Sequence, residues 1–287
     1  MENKAEILKI DFSDLKNRDV QRNDLDKNKS TKDKLIDYSE AIKNVEHSFF
    51  RNVYKQALEQ IAMIVRQNNN QNPQLDTDSF FQHDIQSIIA FTGRRGTGKT
   101  SAMASLVDYL SNHDIKMEET SEKISFKFLA GIDATALDRN VSLIPAILSQ
   151  IISRLNDELY SVNYGRKNNE NERNAIQEIY KTANELFNDY VIGMHTSSQF
   201  GDASNYLSIT SKRLSFEKSF RDLIKSYASR VFENDNSYFI ICIDDVDMAP
   251  CNHAELLVSI HQYLMIPNII VFLTANIKFL APEVQTM

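Results

Sequence analysis

The sequence predicts an α/β fold, a parallel sheet flanked by helices, and three observations carry that prediction. Short runs of β-favouring residues recur at about Ile85–Thr92, Ile124–Ile132, Tyr238–Ile243 and Ile269–Thr274. Between them lie longer stretches whose apolar positions return at threes and fours, the period of a helix packed on one face. The first of the short runs leads straight into Gly93-Arg-Arg-Gly-Thr-Gly-Lys-Thr100, and a helical pattern starts at its end. Strands alternating with helices build parallel sheets, and a glycine loop between a strand and a helix is where such sheets hold phosphate.

At 287 residues and 33.0 kDa, the chain has enough length for one sizeable domain or two small ones. A net charge of -7 and a pI near 5.5 argue against a surface devoted to nucleic acid, while leaving room for a local basic groove. No apolar run reaches bilayer-spanning length, and Met1-Glu-Asn-Lys-Ala-Glu6 lacks the apolar stretch of a secretion signal. The expectation is a cytoplasmic protein with no membrane partner. Cys242 and Cys251 have no metal-site spacing, and Cys242 lies in an apolar run, so both read as reduced thiols. The six histidines are scattered and suggest no site.

Residues 1–74 read as an N-terminal arm followed by an amphipathic helix. The arm has isolated apolar positions, Ile7, Leu8, Ile10, Phe12 and Leu15. The helix is expected over Lys34–Arg66, from Leu35, Tyr38, Ile42, Val45, Phe49, Val53, Ala57, Ile61 and Ile64, and Asn68 to Pro73 ends it. Residues 75–287 read as the nucleotide-binding core. Phe80 and Phe81, in its lead-in, are candidates for stacking on a base, with core packing as the alternative. After the helix carrying Met103, Leu106, Val107 and Leu110, a hydrophilic connection spans Ser111–Lys123. The second strand ends in Asp133, which could hold metal or water or cap a turn. A helix over Val141–Leu159 follows. About 161–236 then forms a helical insertion with patterns at Ala175–Val191 and Ser211–Phe232, separated by a loop at Gly193–Asn205. Lys212, Arg213, Lys218 and Arg221 make its second helix weakly basic, which reads as a solvated face.

The loop's residue types fit a nucleoside triphosphate. Gly93, Gly98, Lys99 and Thr100 satisfy G-x-x-x-x-G-K-[ST]. Three of the chain's seven glycines, Gly93, Gly96 and Gly98, fall in this one loop. Glycine lets consecutive N–H groups turn into a phosphate-sized nest, and the following helix adds its positive end. Gly93, Arg95, Gly96, Thr97, Gly98, Lys99, Thr100 and Ser101 are therefore the candidate nucleotide-binding residues. Lys99 would reach the β- and γ-phosphates, and the Thr100 hydroxyl would be a ligand of Mg²⁺. The cofactors so implied are ATP and Mg²⁺.

A second anchor lies far downstream. Tyr238-Phe-Ile-Ile-Cys-Ile243 is continuously apolar, as in a strand buried on both faces, and it ends in Asp244-Asp245-Val246-Asp247. Asp244 is placed to hold the metal's hydration shell opposite Thr100, and Asp245 to orient or deprotonate an attacking water. Helix capping ahead of His253–Met265 is the alternative for Asp245 and Asp247.

Phosphate loop, apolar strand with paired acids, helix, then Ile269–Thr274 running into Asn276: this succession resembles the core of the AAA+ ATPases over about Ile85 to Asn276. The resemblance implies a P-loop NTPase fold with strand order 5-1-4-3-2, and it puts Asn276 in the sensor 1 position, addressing the γ-phosphate or its water. It also implies ATP hydrolysis and assembly into a ring or other homo-oligomer. The pair here is Asp-Asp, not the usual Asp-Glu, as in the STAND and KAP groups, and a shorter arm points to slow hydrolysis. The motifs Gly-Arg-Arg-Gly-Thr-Gly-Lys-Thr and Ile-Asp-Asp-Val-Asp are also similar to those of large ATPases in bacterial phage defence. Among these is the partner of the RADAR adenosine deaminase, which would imply an effector protein as partner. Rival readings are a STAND-type switch with little turnover, a DNA-acting initiator or clamp loader, and a scaffold with structural nucleotide. Only four strands of the resembled core can be placed, which leaves the strand before the phosphate loop as an exposed edge and suggests that these residues are part of a longer protein.

Overall fold

The structure, a computed structural model, describes residues 8–11, 36–37, 50–70, 87–116, 123–137, 142–164, 170–195, 203–232, 237–251 and 253–276. Its strands are β1 (Leu8–Asp11), β2 (Ile36–Asp37), β3 (Ile88–Thr92), β4 (Ile115–Lys116), β5 (Lys123–Asp133), β6 (Ser237–Asp244) and β7 (Ile269–Ala275). Its helices are α1 (Arg51–Asn70), α2 (Lys99–Asn112), α3 (Leu143–Tyr164), α4 (Glu170–His195), α5 (Ala203–Val231) and α6 (His253–Leu264). The sheet runs β1-β3-β7-β6-β5-β4-β2. Its four central strands, β3-β7-β6-β5, are all parallel and stand in the order expected of them.

Parallel strands covered on both faces need apolar side chains on both, and these have them. On β7, Ile269, Val271 and Leu273 join one core cluster while Ile270 and Phe272 join the other. β6 divides the same way, with Phe239, Ile241 and Ile243 on one side and Tyr238, Ile240 and Cys242 on the other. α1 and α2 cover the second side through Leu58, Ile61, Ile64, Leu106 and Leu110. The first side is covered by α3, α4, α5 and α6. Each fully buried Leu, Ile or Phe contributes about 1.5–3 kcal/mol.

Several expectations are corrected. The edge of β3 is not bare: β1 pairs with it in parallel, Leu8 opposite Ile89 and Asp11 opposite Thr92. Leu8 and Ile10 alternate with Lys9 and Asp11, so the arm carried a strand's period of two in a stretch too short to stand out. This pairing removes the exposed-edge argument for a longer protein. The arm and α1 also share the sheet and core of the residues after 75, so position 74 is no packing boundary.

The second correction concerns the helix expected from Lys34. Ile36–Asp37 is instead a short strand parallel to β4, and the described helix begins at Arg51. The third falls in the hydrophilic connection after α2, where β4 adds to β5 antiparallel, Ile115 opposite Ile124. The insertion at 161–236 is no appendage, since Ile176, Ala183, Phe220, Leu223 and Ile224 of α4 and α5 belong to the main core. α5 begins at Ala203, within the loop expected over Gly193–Asn205. Phe80, Phe81 and the residues after Asn276 lie outside the described residues.

β5 has an irregularity that α3 repairs. Its register against β6 shifts between Phe128 and Ala130, as a bulge requires. The Gln150 carboxamide then accepts from Gly131 N at 2.9 Å and donates to Gly131 O at 2.6 Å. Beyond the bulge the strands realign, bringing Asp133 opposite Asp244 at the sheet's C-terminal edge.

Candidate nucleotide site

The phosphate-loop residues span the connection from β3 to α2. Gly93 N donates to Ala275 O at 3.3 Å, tying the start of the loop to the end of β7. Arg94 O then accepts from Thr97 N at 3.3 Å and from the Thr97 hydroxyl at 2.8 Å, closing the turn. Gly96 and Gly98 hold φ of 78° and 86°, the left-handed region where a side chain is strained. Gly98 has a second constraint. The ring of Phe50, at the foot of α1, stands so close that a Cβ there would come within 2.9 Å of it.

Gly98 is also the N-cap of α2, with no side-chain cap. The first amide bonded inside the helix is that of Ala102, 2.8 Å from Gly98 O. The amides of Lys99, Thr100 and Ser101 precede it and have no helix carbonyl to meet, which is the geometry that receives an anion. Lys99 is only 7% exposed, and among the described residues its ammonium donates to Arg94 O alone, at 3.4 Å. Arg95 is exposed on the loop and Ser101 in the first turn of α2.

Facing the loop, β6 and β7 deliver a lattice of polar groups. One oxygen of Asp244, Oδ1, accepts the Thr100 hydroxyl at 3.0 Å, the Asp245 N–H at 3.1 Å and the Thr274 hydroxyl. No hydrogen bond from a described residue reaches the other oxygen. Thr274, fully buried, also accepts the Asp245 N–H through its hydroxyl oxygen at 2.8 Å. Asp245 has φ of 50°, an unusual value for a residue with a side chain. Its carboxylate makes no hydrogen bond among the described residues. Partial burial, and then the charge of Asp244, push its pKa up; Lys99 opposes this, while Asp247 and Asp133 add to it. A carboxylate surrounded in this way holds its proton to higher pH and is a stronger base once ionised.

Asn276 follows β7 and sits half-buried, its backbone N–H donating to Asp247 Oδ1 at 2.8 Å. The structure thus brings Lys99, Thr100, Asp244 and Asp245 together at the ends of adjacent strands, with Asn276 beside them. Of the two acids after β6 for which capping was the alternative, Asp245 precedes a 3-10 turn without capping it through its side chain, and Asp247 accepts the backbone N–H of Asn276, just past β7. Asp133 does cap, accepting Thr135 N at 2.9 Å and the Thr135 hydroxyl at 2.6 Å.

Two residues escaped the sequence reading. Thr274 was only the end of a strand, although a hydroxyl inside a fully buried apolar run is a signal that it has a partner. Phe50 gave no such signal. Among the described residues no group of three or more His, Cys, Asp or Glu side chains is placed to hold a metal ion. One hydroxyl and one carboxylate oxygen suit Mg²⁺, which keeps most of its waters and takes phosphate oxygens. Cys242 is a buried free thiol whose pKa is pushed up to about 12 by burial and then by Asp244, so it is inert. Of the basic residues expected on a solvated face, Lys218 is exposed, but Arg221 is only 16% exposed and pairs with Glu217 on its own helix at 3.0 Å. No described helix is long and apolar enough to cross a membrane.

Comparison with known proteins finds no matching family model and no matching curated protein.

Proposed function

We propose that the chain is a Mg²⁺-dependent, AAA+-like P-loop ATPase that binds ATP at the β3–α2 loop and cleaves the β–γ bond slowly. One observation carries the reading: the hydroxyl of Thr100 and the carboxylate of Asp244, 144 positions apart, meet at 3.0 Å. A P-loop hydroxyl and an acid at the end of a distant parallel strand are the two protein groups such a site needs for its metal. Bound Mg²⁺ would supply charge neutralisation across the β- and γ-phosphates. The chain's own part is to bind and orient. The open amides of α2 and the Lys99 ammonium receive phosphate oxygens. Asp244, through its free oxygen, and Thr100 would hold the metal, Asp245 would take the proton of the attacking water, and Asn276 would fix the geometry at the γ-phosphate.

The fold's use of ATP is proposed to be that of a nucleotide-driven switch or scaffold in a cytoplasmic homo-oligomer. By motif resemblance its setting is bacterial phage defence, with an effector protein as partner, an adenosine deaminase if the RADAR likeness holds. Asp245 supports a second reading, the STAND-type switch. Its arm is one methylene shorter than glutamate and its backbone already left-handed, which disfavours rapid proton abstraction. Phosphate release measured beside equilibrium binding of a fluorescent ATP analogue tests both readings. Binding with measurable turnover supports the ATPase; binding without turnover supports the switch; no binding sinks both.

A further inference from the structure

Towards the opposite ends of the same strands lies a cavity of about 740 Å³ that the phosphate loop does not line. Its floor is Phe128 and Leu129 of β5 with Phe239 of β6, and its walls come from α3, α4 and α5. Volume and an apolar floor are within the range of small-molecule sites. Its polar groups are unevenly matched, with Lys127, Arg154 and Arg230 against Glu158 and Glu172. A net positive cleft stands out on a chain of net charge -7.

Glu158 is already committed, accepting the Tyr227 hydroxyl at 2.8 Å on one oxygen and Arg230 on the other. Glu172 is 3.9 Å from Arg230, with a side chain 49% exposed. Arg154 is half-buried and lies over the Phe128 ring, 4.9 Å from its centroid. It has no hydrogen bond or ion pair with a described residue. The Nε of Arg230 is buried and likewise unbonded. Lys127 spends one proton on Val231 O at 3.3 Å. A partly desolvated guanidinium without an acceptor is costly, and an anion entering the cleft would satisfy Arg154, with Lys127 beside it. We propose that this cleft is a second binding site, for a small organic anion with one phosphate or carboxylate group on a flat apolar body. The anion meets Arg154 and Lys127 at the rim, and the body lies against the apolar lining of Phe128, Leu129 and Val162.

Titration calorimetry of the full chain with phenyl phosphate, and separately with benzoate, tests the site and tells the two anion types apart. Binding of at least one of them is expected, weakened about tenfold in Arg154→Gln, where a charge-assisted partner is lost. Glu172→Gln removes a repelling charge from the rim and should tighten binding a few-fold. Lys99→Ala should leave it unchanged, which separates this cleft from the phosphate loop. Glu172→Gln changes an exposed side chain and keeps the test valid if Arg154→Gln folds poorly. The absence of binding for both anions at millimolar concentration would overturn the proposal. So would affinity indifferent to both cleft variants, or affinity lost in Lys99→Ala.

Discussion

Thr274 donates its hydroxyl hydrogen to the carboxylate of Asp244 on the neighbouring strand, and its oxygen takes the N–H of Asp245. One buried side chain thereby sets the direction of one acid and the backbone of the next. Thr274→Val keeps the shape but removes both bonds. The expected result is ATP affinity within a few-fold of the parent and turnover lowered roughly 10–100-fold, the scale of a small misplacement at a reacting centre. Stability should fall by about 1–3 kcal/mol, because a buried N–H and carboxylate oxygen lose a partner. Thr274→Ser should restore turnover, and failure of that rescue would mean the methyl group, not the hydroxyl, matters.

Thr274 also marks where sequence reading stops. That Gly93, Lys99, Thr100, Asp244 and Asp245 would come together was legible, because a glycine loop between strand and helix and acids at the end of an apolar strand both lie at the same edge of a parallel sheet. The four central strands were legible because continuous burial writes itself as apolar runs. β1 and β4 were not, for they are four and two residues long and take their stability from a neighbour's ladder. Phe50 could not be found, since nothing local links an aromatic at the foot of α1 to Gly98 of the loop.

Lys99→Ala should abolish most triphosphate affinity while the protein stays folded, because the side chain is the loop's buried cation, Arg94 and Arg95 being exposed, and lies against a turn carbonyl, outside both apolar clusters. A fluorescent ATP analogue titrated into parent and variant measures it. Unchanged affinity in a folded variant would end the phosphate-loop assignment.

The raised pKa of Asp245 has two consequences. As the base, it must be ionised, so the acidic limb of the turnover profile should lie above the ordinary carboxylate range, and Asp133→Asn should move it down. For stability the sign is opposite. A carboxyl that ionises less readily folded than unfolded costs stability above its folded pKa, and the cost disappears at low pH. Asp245→Asn should therefore abolish turnover, keep ATP binding and raise the melting temperature slightly at pH 7. The gain should vanish below the unfolded carboxyl pKa. Asp244→Asn, by contrast, should weaken Mg²⁺-dependent binding as well.

Gly98→Ala combines two penalties. The left-handed φ of 86° costs a side chain about 1–2 kcal/mol, and the added methyl meets the Phe50 ring at 2.9 Å. Urea unfolding should show a loss at the upper end of that range or beyond. Gly98→Ala in a Phe50→Leu background should lose less, since the ring is then gone.

The pairing of β1 with β3 yields the last prediction. Ile89, Ala90 and Phe91 are buried and apolar, and on the side away from β7 their backbone groups meet, among the described residues, only β1. A chain beginning at residue 13 would leave that ladder open beside a fully formed core. An unpaired, flat, apolar edge is a template for another copy. Light scattering of the shortened protein should therefore rise with concentration and time where the parent's stays flat. A peptide of residues 1–16, added in excess, should suppress the rise by docking in the vacated place, whereas a scrambled peptide should not. ATP affinity should also fall, because β3 leads directly into Gly93 and a loosened strand relaxes the loop it carries. If the shortened protein keeps the parent's particle size and binds ATP as the parent does, the β1 pairing is dispensable and the edge of β3 is protected by other means.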